Sequence, residues 1–134
     1  MIEVNNLTAK KINEKFFKKV SEVVFKSEKK RLELSIVLVG EKRIRKLNKK
    51  YRKKNRLTDV LAFSYNHSGE IVICLEQVRK NAEKFNFNCK KELTRVLIHG
   101  ILHLLGYDHE KSQKKAELMK KKQNYYLKLC QKII

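Results

Sequence analysis

The chain has no proline and only four glycines in 134 residues. No Gly/Ser-rich segment or internal repeat breaks it up either, so one domain over 1–134 is predicted. It lacks any apolar run of about 18 residues, which excludes a membrane-spanning helix. Its first residues, "MIEVNNLTAKK", lack a charged start, an apolar core and a cleavage site, so no secretory signal and a cytoplasmic location are predicted. Cysteine is scarce and scattered: Cys74, Cys89 and Cys130 suit no disulfide framework and form no CxxC pair, and all three read as small core residues. Acidic residues are few, 14 against 33 Lys and Arg, for a formal charge of +19. A field of that sign draws polyanions and speeds their association.

The positive charge is clustered. Residues 42–56, "KRIRKLNKKYRKKNR", hold ten basic side chains and no acidic one, and "KKAELMKKK" at 114–122 forms a second run. Biased composition supplies lysines but does not cluster them, so nucleic acid or the ribosome is the expected partner. Around these runs, helical and strand patterns alternate. "MIEVNN" reads as a first strand. Ile12, Phe16, Phe17, Val20, Val23 and Val24 recur at helical spacing, predicting a helix capped by Thr8 and running to about Lys30. "LELSIVLVG" at 32–40 reads as a strand, and Ile44, Leu47 and Tyr51 give a short basic helix. "TDVLAFSY" at 58–65 and "EIVICL" at 70–75, joined by the turn-like "NHSG", suggest a hairpin. Helices are expected over 76–86, from Asn88 through Leu93, Val96, Leu97, Ile101 and Leu104, and over about 111–131, the last burying Leu118, Met119, Tyr126 and Leu129. The predicted fold is α+β: a single mixed β-sheet of about four strands covered by helices.

Three of the four histidines fall in "HGILHLLGYDH", residues 99–109. His99 and His103 are four apart on a predicted helix, so they share a face about 6 Å apart along the axis and can converge on one metal ion. On a continuous helix, His109 would lie about 15 Å beyond His99, too far for ligand bonds of about 2 Å. The helix must end between His103 and His109, and Gly106 stands where a chain reversal costs least. Three imidazoles with a fourth position left to water form a catalytic zinc arrangement at a helix C-terminus, one that lowers the pKa of bound water to about 7. Nickel or copper also suit three imidazoles. His67, in the "NHSG" turn, reads as a surface residue. The H-x3-H-x2-G-x2-H spacing is that of metzincin proteases, which place a glutamate base directly after the first histidine. Here that position is Gly100, which has no side chain to take a proton and speaks against a metallopeptidase.

"HGILHLLGYDH", "LNKKYRKKNRLTDVLAF" and "GEIVIC" together resemble the bacterial YbeY endoribonucleases, over roughly residues 32–130. Every fixed position of that family's H-G-x-L-H-L-x-G-Y-D-H signature is met. The resemblance implies a zinc-dependent, single-strand-specific endoribonuclease acting in 16S rRNA 3′-end maturation and ribosome quality control. It implies one Zn2+ per chain on His99, His103 and His109, with Arg52 as the functional arginine. Its partners would be rRNA in the small ribosomal subunit and ribosomal proteins or assembly factors, with no membrane and no small-molecule substrate. The chain departs from the family at Leu57, where proline is usual, at Glu70, where aspartate is frequent, and at Ser64–Tyr65, where Phe-Pro is common.

The chemistry of the residues points the same way. Negative charge developing on a phosphate calls for forked cationic donors, which Arg52 supplies better than a lysine. The lysines of 42–56 and 114–122 would follow the RNA backbone with little reading of sequence. Tyr51 and Tyr107 suit base stacking or packing equally. Asp108 is a candidate partner for a ligand imidazole or, more weakly, a general base. Thr58 and Asp59 open a strand beside the expected site, where a structural role is favoured. An alternative is a non-catalytic ribosome-assembly factor with a structural metal.

Overall fold

The order of elements is β1 (Ile2–Asn6), α1 (Glu14–Glu28), β2 (Glu33–Val39), α2 (Glu41–Arg52), β3 (Val60–Ser64), β4 (Ser68–Cys74), α3 (Leu75–Lys84), α4 (Cys89–Leu104) and α5 (Gln113–Ile133). It comes from a computed structural model that describes residues 1–107 and 112–133. The four strands form one mixed sheet in the order β1-β2-β4-β3. β1, β2 and β4 run parallel, and β3 closes the edge as the antiparallel arm of a hairpin with β4. The fold is the predicted α+β arrangement.

The nearly unbroken apolar run of β2 reflects burial on both faces. Leu34, Ile36 and Leu38 point into a large core shared with α1, α4 and α5, joined there by Ile71 and Ile73 of β4. The alternate residues Val37 and Val39, with Val72 and Cys74, meet a smaller core closed by Ile44 and Leu47 of α2. A single amphipathic helix thus covers one face, and the other helices cover the opposite one.

α4 is the central helix. It packs against β3, β4, α1, α3 and α5, which is why Val96, Leu97, Ile98, Ile101 and Leu102 are all buried. Asn88 caps it, its side-chain oxygen accepting from the backbone N–H of Lys90 and Lys91. Gly100 faces the sheet: a Cβ there would stand 3.2 Å from Ile71. The missing side chain that argues against a protease base is also what lets this helix lie close on β4.

Several expectations are corrected. Thr8 does not cap α1, which begins at Glu14 after Asn13. The Thr8 hydroxyl instead donates to the Asn6 side-chain oxygen at 2.6 Å, forming a local turn that competes with the helix. Leu118 is exposed on α5, while Met119 and Tyr126 are buried as expected and Leu129 is partly buried. Cys74 and Cys130 are core residues, but Cys89, at the exposed start of α4, is not. No helix among the described residues is long and apolar enough to cross a membrane.

Candidate active site

A cleft of about 400 Å3 opens between the edge strand β3 and α4. Its polar lining is Arg52, Thr58, Asp59, Arg95, His99 and His103. Arg95, His99 and His103 are spaced by four along α4, so they form one stripe along the helix. The two half-buried imidazole rings stand 5.2 Å apart between centroids with their planes at 79°.

Gln123 of α5 sets the outer side of His99. Its Oε1 lies 2.8 Å from Nδ1. An amide oxygen only accepts, so Nδ1 donates, which in a neutral imidazole makes Nε2 the nitrogen that can ligate a metal. An imidazole oriented through its second nitrogen in this way is the usual surrounding of a metal-ligating histidine. The donor chemistry of His99 and His103 therefore fits a divalent ion. His109 and Asp108 lie outside the described residues; among the described ones, no group of three or more His, Cys, Asp or Glu is arranged to hold a metal.

The predicted helix stop is present. α4 ends at Leu104, and Gly106 adopts φ 103°, a left-handed conformation that glycine takes without strain. The Gly106 N–H donates to the His103 carbonyl at 3.1 Å and the Tyr107 N–H to that of Leu102 at 3.0 Å. This is the Schellman pattern, and it turns the chain directly after His103. Tyr107 is engaged in packing rather than stacking: its hydroxyl donates to Glu28 at 2.6 Å. Glu28 also accepts from Tyr126 and, at 3.1 Å, from Lys122. Burial would raise the Glu28 pKa, but these donors hold it below the ordinary carboxylate value. Lys122, from the second basic run, is thereby drawn inward.

Arg52 is the last residue of α2, exposed there, and lines the cleft with the two histidines of α4. Buried Asn48 fastens the loop after it, its amide donating to the Arg56 carbonyl at 3.1 Å. Tyr51 is 56% exposed, with its ring edge-on to Phe63 at 5.3 Å. Asp59 serves the scaffold as well as the cleft: its backbone carbonyl accepts from Cys74 at 2.9 Å, and its carboxylate accepts from Asn81 at 3.4 Å. Glu70 lines a separate depression with Glu3 and Glu33, away from the histidines. His67 is exposed in its turn, as expected.

Arg95 was not singled out by the sequence reading. Glu92, whose side chain is only 3% exposed, grips it by two bonds, from Nε at 2.7 Å and from an Nη at 2.8 Å. The hydrogen bond to Glu92 raises the Arg95 pKa despite burial, so the guanidinium stays charged. The available signal was its place four residues before His99, with an acid three residues before it.

The fold and cleft define a mixed-sheet α+β protein that presents paired imidazoles and paired guanidiniums at the sheet edge, under a strongly basic surface. A family model described as Endoribonuclease YbeY matches residues 2–131. The chain is 40% identical over 129 residues to an endoribonuclease YbeY of Petrotoga mobilis, covering 92% of this chain and 90% of the relative. It is 42% identical over 120 residues to that of Thermotoga maritima, covering 87% and 79%. A solution structure of a Thermotoga maritima protein superposes with TM-score 0.71 at 36% identity, over 97% of this chain and 89% of that one. The chain belongs to the YbeY family of endoribonucleases, hydrolases acting on RNA.

Proposed function

We propose that this chain is a zinc-dependent, single-strand-specific endoribonuclease of ribosomal RNA, working as one domain over 1–134 in the cytoplasm. Its roles would be 16S rRNA 3′-end maturation and ribosome quality control on the small subunit, alongside ribosomal proteins or assembly factors. His99, His103 and His109 would hold one Zn2+ ion, and Arg52 would bind the phosphate under attack. The observation that carries this reading is the convergence of Arg52, His99 and His103 on one cleft from two different helices. The spacing of His109 beyond the Gly106 turn supplies the third ligand.

When bound, the metal supplies Lewis acidity and an activated water at neutral pH. The rest falls to the chain. Gln123 keeps the His99 ring oriented through Nδ1, so that Nε2 would be the ligating atom. The forked donors of Arg52 would meet the non-bridging phosphate oxygens, where negative charge grows during attack. The lysines of α2 hold the RNA backbone without reading its bases. Gly100 supplies no carboxylate at the position next to His99 in the chain, so a proton released there would pass to another group or to solvent.

The test is cleavage of a single-stranded rRNA 3′-end fragment by the wild-type chain beside His103→Ala and Arg52→Ala, purified identically. Only the wild type should cut, a chelator should abolish cutting, and zinc content should fall from one per chain in His103→Ala. If all three cut alike, the activity is a contaminant. The histidines would then anchor a metal in a ribosome-binding factor.

A further inference from the structure

We propose that Arg95 is a second phosphate-binding residue for the RNA strand, held in position by Glu92, one helical turn upstream of His99. This rests on the RNA-cleaving reading above and adds to it a residue outside the ligand set and Arg52. Three observations carry it. Arg95 lines the same cleft as Arg52 and the histidines. It continues the stripe of His99 and His103 along α4, so a phosphate bound there lies about 6 Å along the axis from His99, beside the reacting position rather than in it. Its guanidinium is fixed rather than mobile, because Glu92 takes Nε and one Nη from beneath, leaving the other Nη for a ligand.

The pairing with Glu92 has a structural consequence of its own, since a carboxylate this buried requires a partner. That explains why some cation stands at 95, but not why it faces the cleft. A surface lysine of α2 must give up side-chain freedom to hold a phosphate. Arg95 has already lost that freedom in the folded protein, so its contact costs less on binding. Arg52 and Arg95 together would bracket the strand and set which phosphodiester lies over the imidazoles.

The experiment is a salt titration of the binding of a single-stranded oligoribonucleotide, read by fluorescence anisotropy, with the RNA checked on a gel to be intact afterwards. The wild-type chain is compared with Arg95→Lys and with the double variant Arg95→Met/Glu92→Gln, which removes both charges and leaves no buried ion unpaired. A phosphate contact at Arg95 predicts a double variant that binds about tenfold more weakly at low salt, with a slope of log K against log salt shallower by about 0.7. Its melting temperature should stay near that of the wild type. Arg95→Lys keeps the charge against Glu92, so it should keep the slope and lose several-fold in affinity with the fork. Wild-type slope and affinity in the double variant, or wild-type affinity in Arg95→Lys should the double variant not fold, overturn the proposal and leave Arg95 as the partner of Glu92. A wild-type chain that binds no RNA overturns the functional reading together with it.

Discussion

α2 and α4 both supply the cleft, and they are built in opposite ways. α2 buries only Ile44 and Asn48, and the rest of its surface is largely Lys and Arg. α4 buries eight of its sixteen residues and is surrounded by five other elements. A helix packed against so many neighbours cannot shift without disturbing the core, so it suits groups that must be placed to a fraction of an ångström. An exposed basic helix suits a task that needs charge rather than position. Imidazole geometry is therefore carried on α4 and attraction for RNA on α2, whose Arg52 lines the same cleft as the imidazoles.

This contrast can be broken or sharpened by measurement, beginning with packing. Leu97→Ala, at a fully buried position of α4, should cost about 3 kcal/mol in chemical denaturation. Leu47→Ala on α2, only partly buried, should cost about 1 kcal/mol. Equal losses would mean that α2 is as integral as α4. Next comes the orientation of His99. Gln123→Leu should weaken zinc binding about 10- to 100-fold in competition with a chromophoric chelator, with secondary structure by circular dichroism unchanged.

Glu28→Gln tests the clamp that ties α1, α5 and Tyr107 together, and should cost about 2 kcal/mol at neutral pH. Its pH dependence has a definite sign. The folded-state pKa lies below the ordinary 4.5, so the stabilisation is present above pH 4.5 and is lost as pH falls through the lowered value. Urea midpoints taken downward from pH 6 should converge for wild type and variant in that acid window.

The two helix ends give a smaller, signed effect. Lys53 terminates α2 at φ 58°, and Gly106 follows α4 at φ 103°. Lys53→Gly should raise stability by up to about 1 kcal/mol, and Gly106→Ala should lower it by about 1 kcal/mol or more, both read from thermal unfolding. Smallest for the fold is the triple change Lys46→Gln/Lys49→Gln/Lys50→Gln on α2, expected to move stability by less than about 0.5 kcal/mol. The same variant should flatten the salt dependence of RNA binding by about 0.7 for each phosphate that these lysines neutralise.

Features that depend on neighbours in the chain were legible beforehand. The apolar spacing of α4, the Gly106 stop, the hairpin of β3 and β4 and the His99–His103 pair all arise from periodicity or from a single residue's backbone freedom. Errors appeared where a local signal had a local competitor. Thr8 resembles a helix cap, yet Asn6, two residues away, takes its hydroxyl. Leu118 stands at a plausible spacing on α5, but one position from the face that Met119 buries.

The sequence by itself determined that the chain is a basic α+β protein of this family with imidazoles on one helix face, because composition, periodicity and motif spacing are properties of the chain read in order. Only the tertiary structure decided that Arg95 lines the cleft with Arg52 and those imidazoles, that Gln123 lies behind His99 across 24 residues, and that Glu28 captures Tyr107 across 79. Those contacts follow from how the sheet and helices stack to bury two cores. Packing of that kind joins residues by distance in space, which no local pattern records.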